Sequence, residues 1–117
     1  MDDRRNAGPA RQAAAECCPL ALGPLAAADA DRMAHRLKAL ADPTRLRILS
    51  LIAARGCESV CACELLDALD VTQPTVSHHL KKLVEAGLLQ REQRGKWAHY
   101  TVERSAVAEL QAFLALG

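Results

Sequence analysis

The most constraining feature of this chain is the short break between two helical patterns in its middle. Leu65, Leu66 and Leu69 mark the apolar side of a short helix over Cys63–Leu69, and Asp70-Val71 leaves room only for a turn. Thr72 then suits the N-cap of a second helix, with Pro74 in its first turn and Gly87 as its stop. Two helices joined so tightly imply a helix-turn-helix. Beyond Gly87, Leu88–Gln93 and Trp97–Val102 have strand character and are joined by Arg94-Gly95-Lys96, a hairpin bent at glycine. The hairpin adds a wing.

The flanking segments complete the pattern. Met33, Leu37 and Leu40 recur at helical spacing in a helix starting near Asp29. Asp42-Pro43 opens another, which runs through Leu46, Leu49 and Ile52 and stops at Gly56. A last helix from about Glu103 carries Val107, Leu110 and Leu114 on one stripe. The expected fold is therefore mainly α with a small β-hairpin, a winged helix-turn-helix in the order α-α-α-α-β-β-α.

A length of 117 residues suits one domain, and 50% hydrophobic with 25% charged residues is the composition of a folding chain. With Phe113, Trp97 and Tyr100 as the only aromatics, its core must be built from aliphatic side chains. Residues 1–28 hold Gly8, Pro9, Pro19, Gly23 and Pro24 and read as a flexible N-terminal arm carrying Cys17 and Cys18. Residues 29–117 read as the folded domain. No apolar stretch is long enough to span a bilayer and the first residues lack a signal h-region, so the sequence predicts a cytoplasmic protein without a membrane partner. In that compartment the five cysteines are expected to stay reduced, serving thiol or metal chemistry.

The net charge of +1 announces no polyanionic partner, but its distribution does. Residues 71–100 hold Lys81, Lys82, Arg91, Arg94 and Lys96 against Glu85 and Glu92, while residues 1–70 carry nine bases against ten acids. In the helix over 73–86, Val76, Leu80, Leu83 and Val84 share one face, leaving Thr75, His78, Lys81 and Lys82 opposite, with Ser77 and His79 nearer the boundaries. Short hydroxyls and an imidazole near the N-terminal end suit base edges in a major groove, and lysines one turn later suit phosphates. An isolated basic amphipathic helix is more often just a solvated face. The tight helix pair and basic hairpin together favour double-stranded DNA, with contacts expected at Gln73, Thr75, Ser77, His78, Lys81, Lys82, Arg91, Arg94 and Lys96.

Three segments carry a family resemblance: Ala39-Leu40-Ala41-Asp42-Pro43-Thr44-Arg45-Leu46-Arg47-Ile48-Leu49, Gln73-Pro74-Thr75-Val76-Ser77-His78-His79-Leu80-Lys81-Lys82-Leu83, and Gly87-Leu88-Leu89 with Arg94-Gly95-Lys96-Trp97. They resemble the ArsR/SmtB metal-sensing transcriptional repressors. The resemblance covers residues 30–115 and implies a homodimer, paired through its first and last helices, that represses its operator when free of metal and releases it when metal binds. Glu16-Cys17-Cys18-Pro19-Leu20-Ala21, together with Cys57, is similar to arsenite-responsive members whose arm cysteines meet one from the partner subunit. Val60-Cys61-Ala62-Cys63-Glu64-Leu65 resembles the Cys-x-Cys motif of other arsenite, cadmium and lead sensors.

The chemistry of the cysteines leaves several ligand sets open. Trivalent arsenic is soft and takes three thiolates in a pyramid. Cys17, Cys18 and Cys57 of the other subunit would supply them for As(III), with Sb(III) as a second candidate inducer. Cys61 and Cys63 could replace or join Cys57, because an i, i+2 pair converges at a helix start and diverges by roughly 200° inside a helix. Four sulfurs from Cys17, Cys18, Cys61 and Cys63 would better suit Cd(II) or Pb(II). A thiol-redox repressor would use the same fold. The bland alternative for Cys61 or Cys63 is a small buried apolar residue. After Tyr100 the chain has no histidine and only Glu103 and Glu109 as acids, so a zinc site between the terminal helices is not expected. His35 and His99 carry no expected metal role. Without a C-x-x-C or a phosphate-cradling glycine loop, the chain does not read as an enzyme.

Overall fold

The structure, a computed structural model, describes residues 24–115. Five helices and three strands follow one another: α1 (Ala27–Leu40), α2 (Pro43–Ala53), β1 (Val60–Cys61), α3 (Ala62–Ala68), α4 (Gln73–Glu85), β2 (Leu89–Arg94), β3 (Trp97–Val102) and α5 (Arg104–Leu114). This is the expected winged helix-turn-helix with one addition. The two-residue strand β1 pairs antiparallel with β3, giving a three-stranded sheet in the order β1-β3-β2.

Local chemistry sets the helix ends. Asp42 caps α2 by accepting from the N–H groups of Thr44 at 2.9 Å and Arg45 at 3.1 Å, and Pro43 fills the first position, where no N–H is needed. Cys61 caps α3: its sulfur accepts from Cys63 N–H at 3.2 Å, while its own N–H donates to Glu64 Oε2 at 3.0 Å. Thr72 occupies the N-cap of α4 as expected, but its hydroxyl meets that of Thr75 at 2.9 Å and caps no backbone group. At the other end of α4, Gly87 takes φ +77°. Its N–H reaches Val84 O at 2.9 Å and the Leu88 N–H reaches Leu83 O at 3.0 Å, a Schellman closure.

That closure turns Leu88 into the core, where it lies fully buried with Ile48, Ile52, Leu65, Val76, Leu80 and Leu83. Each helix from α2 to α4 therefore packs its apolar stripe on one centre, and Tyr100 closes that centre from β3. In the hairpin, Arg94 pairs with Trp97 across the two-residue turn of Gly95 and Lys96, with Gly95 at φ +61°.

The apolar stripes of the terminal helices are divided between core and surface. Met33 and Leu110 of the two apolar stripes are buried within the protomer itself, leaving Leu37 and Leu114 as the exposed members. Arg32 and Arg36 on α1 both donate to Glu109 on α5, Arg32 at 2.5 Å. The two helices are thus tied by charge.

Candidate nucleic-acid interface and cysteine positions

The apolar face of α4 is turned inward as its periodicity requires, with Val76, Leu80 and Leu83 buried and Val84 half-buried. Gln73, Ser77, His78, Lys81 and Lys82 are exposed on the remaining surface, and Thr75 is half-buried. The structure therefore gathers the expected contact residues of α4 outside the core. His79 is the exception to a purely solvent-facing set: its Nδ1 accepts from Arg45 Nε at 3.1 Å. Lys82 also borders a separate pocket of about 230 Å³ with His35, Lys38, Arg45 and Glu85.

Arg91, Arg94 and Lys96 are exposed on the wing, but strand alternation separates the two arginines. Arg91 lies opposite Tyr100 in the ladder, on the side of the sheet that faces the core. It donates to Gln93 Oε1 at 2.6 Å. Arg94 is bound to Glu92 at 2.8 Å, which neutralises part of its charge. A cleft of about 210 Å³ lies between the start of α4 and the wing, lined among others by Gln73, Ser77, Arg91, Lys96, Trp97 and Tyr100. Among the described residues, no carboxylate lines it. The sequence reading missed Trp97 as a surface feature; its place after a glycine turn at a strand start was the available signal.

The cysteines fall into separate places. Cys17 and Cys18 lie outside the described residues. Cys57 is exposed in the turn after α2, with Arg104 Nη2 3.8 Å from its sulfur. Cys61 and Cys63 converge as the helix-start argument required, but onto each other, joined by a disulfide. This corrects the expectation that all thiols stay reduced. The two sulfurs meet because Cys61 is the cap and Cys63 only the second residue of α3, before helical rotation carries side chains apart. Among the described residues, no three His, Cys, Asp or Glu side chains form a metal-binding group. Cys57 is not part of the Cys61–Cys63 disulfide.

The two acids of the terminal segment already have partners. Arg32 and then Arg36 hold the Glu109 carboxyl down to about 2, and Gln90, helped by Ser105, lowers Glu103. His99 is half-buried in β3, opposite both Cys61 and Glu92, and its Nδ1 has no hydrogen-bond partner among the described residues.

Residues 42–91, which run from the cap of α2 into the wing, match the family described as bacterial regulatory protein, arsR family. An uncharacterized HTH-type transcriptional regulator of Methanocaldococcus jannaschii is 41% identical over 80 residues, 68% of this chain and 88% of that protein. The chain belongs to the arsR family of bacterial regulatory proteins. Among other relatives, an arsenic resistance transcriptional regulator of Pseudomonas putida is 42% identical over 66% of this chain and 59% of its own length. The arsenical resistance operon repressor of Escherichia coli is 49% identical over 54% of this chain and 52% of its own length. The chain thus spans little more than half of these two relatives.

Solved structures agree on the fold. A crystal structure of an ArsR family transcriptional regulator superposes with a TM-score of 0.64 at 26% identity, over 73% of this chain and 84% of that one. The homodimeric winged helix-turn-helix DNA-binding domain of a Mycobacterium bovis protein gives 0.64 at 31% identity, over 75% and 79%. Family and fold are those of DNA-binding transcriptional regulators. Among the described residues no helix is long and apolar enough to cross a membrane.

Proposed function

We propose that this arsR-family protein is a metalloid-responsive transcriptional repressor that binds operator DNA as a homodimer and is released when As(III) occupies cysteine thiolates. The carrying observation is the exposed polar and basic face of α4 beside the basic wing, set on a scaffold shared with relatives named as arsenical resistance repressors. Two such faces related by a twofold axis would read two half-sites. The ligand set we favour is Cys17 and Cys18 from the arm of one protomer with Cys57 of the other. Exposed Cys57 supports it, because it is the one described thiol not committed to a disulfide. The ion would tie the arm to the other protomer and change the spacing of the two α4 helices. Sb(III) would fit the same three sulfurs.

Titrating arsenite into a mixture of reduced protein and promoter duplex tests this, the coupling expected being a loss of affinity of about 5- to 150-fold. Unchanged affinity would remove the sensor reading. Replacing Cys17 and Cys18 together should abolish the response and spare DNA binding.

A second reading rests on the Cys61–Cys63 bond. Such a pair suits a thiol-redox repressor, and in its reduced form it would supply two of four sulfurs for Cd(II) or Pb(II) with Cys17 and Cys18. Mass spectrometry of the alkylated protein after peroxide treatment separates the two readings. Affinity for DNA that follows the state of this pair, and ignores arsenite, would favour the redox reading.

A further inference from the structure

We infer, on the thiol-redox reading above, that His99 is a positioning residue for the Cys61–Cys63 pair: when the pair is reduced, the Cys61 thiol donates its hydrogen to His99 Nδ1 across strands β1 and β3. A residue outside the dithiol thereby sets how readily the pair is reduced.

Three observations converge on this bond. First, Cys61 stands directly opposite His99 in the antiparallel ladder, so both side chains leave the sheet on one face, while Val60 and Tyr100 leave it on the other. Opposed Cβ atoms in such a ladder lie about 5 Å apart, within reach of a sulfur and an imidazole. Glu92 continues the row on β2, but its Oε1 already accepts from Arg94 Nε at 3.0 Å and Nη2 at 2.8 Å. Second, His99 Nδ1 is shut off from solvent and has no partner among the described residues. Arg36 Nε shares that state, yet its guanidinium is anchored to Glu109 through Nη1. Of the other described histidines, His35 and His78 are exposed and His79 Nδ1 holds Arg45. A buried nitrogen left unpaired destabilises the state that withholds its partner. Third, the group facing it is one whose donor capacity depends on redox state. Cys61 is 7% exposed, its sulfur is fixed by Cys63 N–H at 3.2 Å, and in the disulfide that sulfur carries no hydrogen. Two equivalents of a small thiol break the Cys61–Cys63 bond, form one small-molecule disulfide and leave one hydrogen on each protein sulfur. Cys61 can then keep accepting from Cys63 N–H while its S–H turns to the nitrogen opposite. Because Cys61 caps α3 and His99 belongs to β3, the reduced form alone gains this side-chain tie between the helix-turn-helix and the wing.

The full-length chain would be equilibrated in glutathione buffers of graded poise, and each cysteine read by differential alkylation and mass spectrometry. His99→Leu should raise the ratio of disulfide to dithiol at a given poise by about 3- to 10-fold, because it deletes both the acceptor of the reduced form and the unpaired nitrogen of the oxidised one. His99→Asn, whose Oδ1 stands near the place of Nδ1, should keep the ratio close to that of the native chain. A merely structural role for the imidazole would move both variants together. A His99→Leu variant that is folded by circular dichroism and keeps the native ratio, or a His99→Asn variant shifted as far as His99→Leu, would overturn the inference. The affinity of the native chain for a promoter duplex, measured by anisotropy on each redox form separately, tests the thiol-redox reading itself. Equal affinity of the two forms would overturn that reading and leave the bond from Cys61 to His99 standing.

Discussion

Arg45 and His79 are joined across 3.1 Å, Nε donating to Nδ1, which fastens the first turn of α2 to the middle of α4. The same guanidinium donates from Nη1 to Ala39 O at 3.1 Å, near the end of α1. One side chain therefore holds three helices at the point from which α4 projects its outer face. Replacing His79 by Leu should cost about 1 kcal/mol in urea unfolding, the value of one partly buried hydrogen bond. Arg45→Met loses both bonds and should cost more. A double-mutant cycle should return a coupling of about 0.5 kcal/mol or above for the pair. Additive single effects would show that the contact carries no weight.

Gly87 closes α4 in a left-handed conformation at φ +77°, and the space where a Cβ would stand holds only the Arg36 guanidinium, 3.9 Å away. The cost of a side chain there is thus one of backbone strain and not of collision. Gly87→Ala should destabilise by about 1 to 2 kcal/mol. Asn at the same position should cost less, since it tolerates this region better. Equal stability of the Ala variant would mean that the closure after α4 rearranges freely.

The elements that sequence pattern identified are those with local causes. Asp42-Pro43, the leucine stripe of α4, Gly87 and Gly95 each act within a few residues, so their effects are written in adjacent positions. What escaped the pattern depends on distant partners. Val60-Cys61 is too short to show alternation and is a strand only because Tyr100 and His99 pair with it. The bond from Arg45 to His79 spans 34 positions, and Arg32 and Arg36 find Glu109 more than 70 positions away. Trp97 reads as a strand residue, and only the packing of wing against helix brings it to the border of a cleft. The candidate site was accordingly legible as a face of α4 but not as a concavity.

The ion network between the terminal helices gives a pH signature. Hydrogen bonds from Arg32, then from Arg36, stabilise the charged form of Glu109 and lower its pKa from 4.5 to about 2. A depressed carboxyl stabilises the fold above its ordinary value and loses that contribution as pH falls through the depressed one. The stability difference between the native chain and Glu109→Gln should therefore be full above pH 4.5 and vanish as pH approaches about 2. Because Glu109 and Arg32 are substantially exposed, the difference should be small and should shrink in high salt. Urea midpoints of both proteins across that range, at two salt concentrations, measure it. A difference that grows on acidification would contradict the assignment.

Burial within the protomer decides which residues of the terminal helices remain for a partner subunit. Met33 at 7% and Leu110 at 5% exposure are already spent on the protomer's own core, so substituting them would report on folding. Leu37 on α1 and Leu114 on α5 retain 37% and 52% exposure and lie on the two elements proposed to pair. Leu37→Glu and Leu114→Glu should each leave the protomer folded, because neither side chain fills the interior. Each would place a charge in a self-complementary interface, where burial of an unpaired carboxylate is costly. Sedimentation velocity should then show a shift from dimer to monomer at micromolar protein. Affinity for a promoter duplex should fall with it, since one protomer reaches only one half-site. A folded Leu114→Glu and a folded Leu37→Glu that both sediment as dimers would place the subunit contact on another surface.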